Sequence, residues 1–449
     1  MRRPNVVVIT CHDLGRHLGC YGRRTVVSPH LDRLAAQGVR FNRAFCTAPQ
    51  CSPSRASLFT GRYPHCNGVL GLTHANFAWD LHPGERHLAQ ELAAAGYATA
   101  LVGVHHESRH GGAADLMRRF GYGRVLPAAR AAGVTAGAVE VLRDLAAQDR
   151  PFFLQVGYVE PHRLQGSAED GYMGFCSDYM QPDRERGVEV PAYLRDTEGG
   201  RVEVAELQGA VRHVDAAIGD LLVELGPLGL EEDTLVVFTT DHGVALPRAK
   251  CALYDPGIEV ALILRWPRGG WVGGRVTDAL VSNLDVFPTI LEAAGGMPDP
   301  GVQGRSLRPQ LDGGRTAGRQ AVFAEMSYHD YYDPRRCIRT DRHKLIANFS
   351  AAPAFMDPSQ SWRPRSDTVV PANRAVAYHP LVELYDLERD PHEWENRADR
   401  AEDQETQLAL LSRLADWMAE TADPLLQGAV TPPIHRWALE ALEAARARG

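Results

Sequence analysis

The stretch NVVVITCHD, residues 5–13, places four consecutive apolar side chains just before Cys11, His12 and Asp13. A short apolar run of this kind is typical of a strand buried on both faces of a parallel sheet. In open α/β sheets, ligands bind at the carboxyl ends of the strands. The stretch therefore predicts a central strand whose last residues face a functional site.

The rest of the first 300 or so residues alternates apolar runs with stretches of helical period. Such alternation is typical of βαβ units, in which helices cover both faces of a parallel sheet. We predict an α/β fold with a large, mostly parallel sheet sandwiched by helices. The further predicted strands are residues 98–102, 151–158 and 235–239, and the predicted helices are residues 30–37, 88–95, 136–147 and 204–225.

The pattern changes in the last third of the chain. Residues 301–318 are rich in Gly, Arg and Pro, which is typical of a linker or surface loop. Short strands followed by a long helix are predicted beyond it, so we expect a catalytic domain at residues 1–318 and a C-terminal α+β subdomain at residues 319–449. The strands predicted in that subdomain are residues 321–325, 335–340, 344–348 and 382–385, and the helix is residues 404–421.

Composition is that of an ordinary globular enzyme, with 449 residues of which 44% are hydrophobic and 23% charged. The net charge of −8 argues against a nucleic-acid partner. The apolar runs are too short for a membrane span or a secretory signal, so we expect a cytoplasmic protein with no membrane partner. The eight cysteines are scattered without a CxxC pair, and most are predicted to be small buried side chains.

Polar clusters follow four of the predicted strands. One such cluster would usually be a structural hydrogen-bonding group. Four of them converging on one edge of a sheet favour a site for a metal or a phosphate-like anion. The clusters are His12-Asp13, His105-His106, Glu160-Pro161-His162-Arg163 and Asp241-His242-Gly243.

Two of these clusters supply candidate metal ligands. Asp13 and Asp241 offer carboxylate oxygens, and His12 and His242 offer imidazole nitrogens. Carboxylates suit Ca²⁺ or Mg²⁺, whereas histidine shifts the preference toward Mn²⁺ or Zn²⁺. The residue types alone therefore leave the metal open.

A candidate nucleophile lies in CSPSR, residues 51–55. The sequence puts Cys51 at the start of a helix, where free N–H groups and the dipole stabilise an anion. Arg55 follows one turn later on the same face, and a cation there activates a thiol. These residues predict a reactive thiol or an anion site, and a purely structural cysteine is the alternative.

CSPSR followed by Gly61-Arg62 resembles the signature of the sulfatase family, in which the cysteine is converted to formylglycine. Residues 12–13, 241–243 and 384–396 resemble further family segments in the same order. The resemblance implies an alkaline-phosphatase-like fold and a sulfuric ester or sulfamate hydrolase. Within the family the chain is most similar to the sulfamidases, which cleave N-linked sulfate from glucosamine in heparan-type glycans. The segments that carry this are residues 51–61, 160–163, 250–257 and 423–424.

The resemblance also implies roles for individual residues. Arg55 would orient the nucleophile, His106 would help deprotonate the spare hydroxyl of a hydrated formylglycine at Cys51, Lys250 would bind sulfate oxygens and His162 would face the leaving group. The implied metal is Ca²⁺, with Mn²⁺ or Mg²⁺ as alternatives. The implied partners are a sulfated small molecule or glycan and a formylglycine-generating enzyme.

The sequence departs from the family at two positions. His12 stands where the family usually has an acid, and Val104 stands where many members have a lysine, for which His105 is the candidate replacement. In the C-terminal part, Glu325, His329 and Asp330 are candidates for binding sugar hydroxyls, with a solvated loop as the alternative.

Two other functions compete with sulfate hydrolysis. A phosphonate monoester or phosphodiester hydrolase of the same superfamily could use the same pocket. A non-catalytic glycan binder is the third hypothesis, and the intact cysteine motif argues against it. The sequence leaves the oligomeric state open.

Overall fold

The computed structural model describes residues 3–164, 173–314, 318–352, 365–369 and 378–447. Its strands are β1 (Asn5–Cys11), β2 (Val39–Phe41), β3 (Ala44–Phe45), β4 (Ala98–Gly103), β5 (Arg124–Leu126), β6 (Phe152–Tyr158), β7 (Thr234–Thr240), β8 (Glu259–Val260), β9 (Leu262–Arg265), β10 (Arg275–Thr277), β11 (Val281–Ser282), β12 (Val322–Tyr328), β13 (Tyr332–Arg339), β14 (His343–Asn348) and β15 (Val382–Asp386). Its helices are α1 (Pro29–Gln37), α2 (Cys51–Thr60), α3 (Pro64–Asn67), α4 (Leu88–Ala94), α5 (Ala113–Phe120), α6 (Ala131–Ala146), α7 (Glu198–Val223), α8 (Asp255–Ile258), α9 (Val286–Ala293), α10 (Arg308–Leu311), α11 (Gln404–Glu420) and α12 (Pro433–Arg446).

The central sheet has eight strands in the order β10-β2-β9-β7-β1-β6-β4-β5. The five strands from β7 to β5 are mutually parallel, whereas β9 runs antiparallel to both of its neighbours. A second, three-stranded sheet has the order β11-β3-β8. The predicted α/β fold with a large, mostly parallel sheet is confirmed.

The side chains of β1 are buried on both faces of the sheet, as the opening stretch predicted. Val6 and Val8 enter one apolar cluster, to which α2, α4 and α9 contribute, and Val7 and Ile9 enter another, to which α1, α6 and α7 contribute. Complete burial of one such side chain is worth about 1.5–3 kcal/mol. The strand therefore joins two helical layers, and this fixes the direction of its polar end.

The C-terminal part forms an antiparallel four-stranded sheet in the order β12-β13-β14-β15, with α11 against it. Trp417 of α11 stacks on Phe323 of β12 with ring centroids 4.8 Å apart. The predicted boundary at 318/319 lies between α10 and β12, near residues 315–317, which are outside the described residues. The boundary itself stays a prediction.

The helix α7 begins earlier than the predicted start at residue 204. The reason is a capping interaction, because the hydroxyl oxygen of Thr197 accepts a hydrogen bond from the N–H of Gly200 at 3.1 Å. This cap compensates for two glycines in the first turn, which lower helix propensity. Within the described residues, no helix combines the length and the apolar character needed to cross a membrane.

Candidate active site

The four polar clusters lie at the carboxyl ends of the neighbouring strands β7, β1, β6 and β4. The rings of His12 and His106 make an edge contact with centroids 4.8 Å apart. His162 Nε2 lies 3.6 Å from Oδ2 of Asp13. Because parallel strands end at one edge, side chains from distant parts of the chain meet in a single site.

Two carboxylates and two imidazoles form the centre of the site. His242 Nε2 lies 3.0 Å from Oδ1 of Asp13, and His12 Nδ1 lies 3.0 Å from Oδ2 of Asp241. Among the described residues, neither nitrogen has a partner in hydrogen-bond geometry. The backbone N–H groups of Asp13 and His242 both donate to Oδ1 of Asp241, at 2.9 and 2.8 Å. These contacts fix the orientation of the Asp241 carboxylate.

This donor set fits a divalent cation. The possible ligand atoms of Asp13, Asp241 and His242 all lie within 4.8 Å of one another, and so do those of His12, Asp13 and His162. Atoms that bind one ion at about 2.0–2.6 Å must lie this close together. Buried nitrogens that face carboxylate oxygens without a hydrogen bond are what a shared cation would satisfy.

Two buried cationic side chains contact the two carboxylates. Lys250 Nζ lies 2.9 and 3.0 Å from the two carboxylate oxygens of Asp13, and Arg55 Nε lies 3.1 Å from Oδ2 of Asp241. Burial raises the pKa of both carboxyl groups. The largest effect that opposes burial is the charge of Lys250 for Asp13 and the charge of His242 for Asp241. Both pKa values are held well below their usual range. The site therefore holds two anions, each with a buried cation at contact distance.

Cys51 is the first residue of α2 and is 3% exposed. Burial raises the pKa of its thiol, but the opposing effects of His242, Lys250 and His12 are larger together, and the pKa is lowered. Its sulfur and the ring nitrogens of His12 and His106 lie within 4.8 Å of one another. The structure places Cys51 at the start of a helix and next to cations, as the sequence predicted.

Unlike an ordinary surface helix, α2 is buried along its whole length. Its end is set by Gly61, which adopts φ 67° and caps the helix through a 2.9 Å hydrogen bond to Ser57. A Cβ on Gly61 would lie 2.8 Å from Val302, so a side chain is excluded there. The glycine of the motif therefore serves the close fit of this helix.

The two serines of CSPSR join α2 to the rest of the site. Ser54 donates its hydroxyl to the carbonyl of Asp241, and Asn283 donates to the Ser54 hydroxyl at 3.0 Å. Ser52 and Thr73 are joined at 3.2 Å, and Thr73 donates to the carbonyl of His106 at 3.0 Å. Sequence reasoning missed Thr73 and Asn283, since neither follows a strand predicted from the sequence or belongs to a recognisable motif.

His106 lies beside His74, with ring centroids 4.9 Å apart. Burial, reinforced by His12, Arg55 and His74, holds the pKa of His106 well below its usual range. His105 instead turns toward the buried Glu107, with Nδ1 3.2 Å from Oε2. The position of His105 does not favour the predicted replacement of the missing lysine, and His74 was not predicted at all.

His162 is held by its neighbours on both sides. Its Nε2 lies 3.4 Å from Lys250 Nζ, and its Nδ1 lies 2.6 Å from the carbonyl of Arg163. Arg163 in turn pairs with the buried Glu203 and donates to the carbonyl of Ala245 at 2.7 Å. Burial outweighs the opposing effect of Asp13 and lowers the pKa of His162 to about 3.

The three C-terminal candidates have different environments. His329 is buried, and burial lowers the pKa of its imidazole, with the charges of Lys250 and His242 acting in the same direction. Its Nδ1 lies 3.4 Å from Asp330, whose side chain is partly exposed. Glu325 lies inside β12, where its carboxylate contacts His65 at 2.7 Å and Arg336 at 3.4 Å. This pairing does not favour contact between Glu325 and a sugar.

Comparison with protein families matches residues 4–297 to the sulfatase family model. The chain belongs to the sulfatase family. Residues 248–357 match a second model, that of the C-terminal part of N-sulphoglucosamine sulphohydrolase. This second match includes Lys250 and all three C-terminal candidates.

Two curated relatives are similar over most of their length. N-sulphoglucosamine sulphohydrolase of Homo sapiens is 31% identical over 470 aligned residues, covering 94% of this chain and 91% of that protein. Arylsulfatase A of Homo sapiens is 30% identical over 439 residues, covering 87% and 83%. The chain is therefore a hydrolase of sulfuric esters or sulfamates.

The fold also resembles that of the phosphonate monoester hydrolase of Agrobacterium radiobacter. The TM-score is 0.68 at 22% sequence identity, covering 93% of this chain and 96% of that chain. At this identity the likeness concerns the fold alone.

Proposed function

We propose that this sulfatase hydrolyses a sulfamate or sulfate ester on a sulfated sugar, with N-sulfoglucosamine as the model substrate. The observation that carries the proposal is the position of Cys51, buried at the start of α2 among the donors of a divalent-cation site. A protein that only bound glycans would have no use for a buried nucleophile with cationic neighbours.

The nucleophile would be the formylglycine made from Cys51 by a formylglycine-generating enzyme. Its hydrate supplies two hydroxyl groups, one to attack sulfur and one to expel sulfate afterwards. Arg55, one turn along α2, holds the Asp241 carboxylate and adds positive charge beside the nucleophile. His106, whose ring contacts that of His12, is the candidate to take the proton of the spare hydroxyl.

The metal would be held by His12, Asp13, Asp241 and His242. A bound divalent ion supplies positive charge that activates the nucleophile and stabilises the sulfate oxygens. Family membership favours Ca²⁺, the carboxylates keep Mg²⁺ as an alternative, and the two imidazoles keep Mn²⁺. His12 would take the place of the usual acid, which its Nδ1 supports by lying 3.0 Å from Oδ2 of Asp241.

Lys250 and His162 would act on the substrate side. Lys250 is the buried cation nearest to Asp13, where it can bind a sulfate oxygen and offset its charge. His162, 3.4 Å from Lys250 and with a side chain 23% exposed, faces the leaving group. His329 and Asp330 would contact the sugar from the C-terminal sheet.

The choice of sulfamate over sulfate ester rests on the C-terminal match. The model for the C-terminal part of N-sulphoglucosamine sulphohydrolase covers the segment that carries Lys250 and His329. Lys250 would bind the sulfate group, so the residues of this segment that would distinguish leaving groups are His329 and Asp330 on the sugar side. A phosphonate monoester is the second candidate, since it presents a monoanion with a tetrahedral centre like that of a sulfate ester.

The test uses enzyme co-expressed with a formylglycine-generating enzyme and three substrates: N-sulfoglucosamine, an aryl sulfate and an aryl phosphonate monoester. We expect the largest kcat/KM on N-sulfoglucosamine and none in Cys51→Ala, with Cys20→Ala as the matched cysteine control. Hydrolysis of the phosphonate without release of sulfate from either sulfated substrate would overturn the proposal.

A further inference from the structure

Residues 390–396 end the family segment 384–396, here called the C-terminal signature, and take no part in the chemistry described above. Its Glu393 is completely buried, and its Oε2 accepts a hydrogen bond from the backbone N–H of Asp255 at 2.6 Å. Asp255 belongs to the Lys250 loop, which we define as residues 248–257. A signature far along the chain thus contacts the loop that carries the substrate-side cation.

Four buried charges join the two segments. Asp255 contacts Arg339 at 3.0 Å and also pairs with Lys344, and Lys344 contacts Oε1 of Glu393 at 2.7 Å. Two acids and two bases therefore alternate, and all four side chains are nearly inaccessible to solvent. Buried charges are tolerated only when they are paired, so the loss of one member disturbs its neighbours.

A second set of contacts holds the other end of the loop. The guanidinium of Arg248 lies over the ring of Tyr254 at 3.7 Å and over that of Trp394 at 4.5 Å, and it donates to the carbonyl of Glu393. The hydroxyl of Tyr254 donates to Glu383 of β15 at 2.8 Å. Both ends of the Lys250 loop therefore contact the C-terminal sheet or the residues that follow its last strand.

The backbone of the loop requires such support. Arg248 and Cys251, on either side of Lys250, adopt φ values of 66° and 64°. Residues with a Cβ seldom adopt this left-handed conformation, and it persists where the surroundings enforce it. Local propensity alone would not keep Lys250 where it contacts Asp13.

We propose that Glu393 and Lys344 are positioning residues that hold the Lys250 loop, so that the C-terminal sheet completes the active site of the preceding domain. The role of Lys250 in turnover rests on the proposed function, whereas the support of the loop does not. The C-terminal signature acts on the reaction through Lys250 and not through contact with the substrate.

The first test is hydrogen exchange of the peptide spanning residues 248–257, which needs no activity. We expect faster exchange in Glu393→Ala than in wild type, and unchanged exchange in Glu388→Ala, a matched control whose side chain is 68% exposed after the same strand. Unchanged exchange in folded Glu393→Ala would overturn the proposal. If Glu393→Ala does not fold, Glu393→Gln keeps an acceptor for the Asp255 N–H but lacks the charge, and the same comparison applies to it.

The second test is a double-mutant cycle on kcat/KM. Glu393→Ala should reduce kcat/KM by about tenfold or more in the wild-type background, and by much less when Lys250→Ala is already present. An equal loss in both backgrounds would show that Glu393 does not act through Lys250. If wild-type enzyme releases no sulfate from any substrate, the proposed function fails, while the exchange experiment still tests the support of the loop.

Discussion

Arg55 and Asp241 form a completely buried ion pair, with Arg55 Nε 3.1 Å from Oδ2 of Asp241. The other carboxylate oxygen receives two backbone N–H groups, and the Arg55 NH1 group donates to Thr10 at 3.0 Å. This pair links the nucleophile helix α2 to the end of β7. It therefore stabilises the fold, and in the proposed function it also supports catalysis.

Removal of Arg55 should lower both the stability of the protein and its turnover. In Arg55→Met, Asp241 loses its buried cation, and we expect a loss of about 3–5 kcal/mol in the free energy of unfolding, together with loss of turnover. Urea unfolding and sulfate release measure the two effects. The control is Arg124→Ala, whose partners Glu140 and Asp144 are largely exposed, and it should cost about 1 kcal/mol or less. Equal costs in the two variants would show that burial of the Arg55 pair is unimportant.

Binding of a divalent cation should be visible without any substrate. At a metal concentration about 100 times its Kd, we expect stabilisation by about 2.7 kcal/mol, seen as a rise in Tm on adding Ca²⁺ or Mn²⁺. Asp13→Asn should abolish the rise, because it removes a buried ligand charge. Asp196→Asn, at an exposed position, should keep it. A full rise in the Tm of Asp13→Asn on adding metal would show that the metal binds somewhere else.

Much of the fold follows from local sequence. The buried strands β1, β6 and β7 are short apolar runs, and their polar ends and Cys51 identify most of the site. His74, Thr73 and Asn283 could not be found this way. Thr73 and His74 lie in a loop without periodicity, Asn283 lies in a short 3-10 turn after β11, and all three reach the site through contacts that are long-range in sequence.

The surroundings of Glu325 could not be predicted for a different reason. The predicted strand ended at this residue, which suggested a side chain at the edge of the cleft. The strand β12 continues to Tyr328 instead, so Glu325 lies within it. Its carboxylate pairs with Arg336, which lies opposite it on the neighbouring strand β13, and with His65, which is 260 residues away and carries no local signal of the pairing.

Gly243 should tolerate no side chain. A Cβ there would lie 1.8 Å from the carbonyl oxygen of Pro256, so Gly243→Ala must push the Lys250 loop away from the candidate metal ligands. We expect lower kcat/KM and a lower Tm. Gly133→Ala is the control, because its Cβ would meet nothing closer than 4.0 Å inside α6, and it should be neutral or stabilise by up to about 1 kcal/mol. Normal kinetics in Gly243→Ala would contradict the close fit of the loop.

The ion pair between His65 and Glu325 should make stability depend on pH. Burial lowers the pKa of His65, but the Glu325 carboxylate and the neighbouring Cys66 together raise it by more, to about 10. A raised folded-state pKa stabilises the protein fully below the unfolded value of about 6.5, and this contribution disappears as the pH rises toward 10.

The variant His65→Gln measures that contribution. The difference in unfolding free energy between wild type and variant should be largest near about pH 6 and should shrink as the pH rises to about 10. Chemical unfolding at a series of pH values gives the difference. A difference that grows over this range would mean that His65 is neutral in the folded protein.

The mass of the peptide that contains Cys51, determined alongside the rate of sulfate release, bears on the nucleophile itself. After co-expression with a formylglycine-generating enzyme, the peptide should be lighter by about 18 Da, the difference between a thiol and an aldehyde side chain. The rate of sulfate release from N-sulfoglucosamine should rise in proportion to the converted fraction, and Cys51→Ala should release none. Full activity from protein in which Cys51 remains an unmodified cysteine would refute a formylglycine nucleophile at this position.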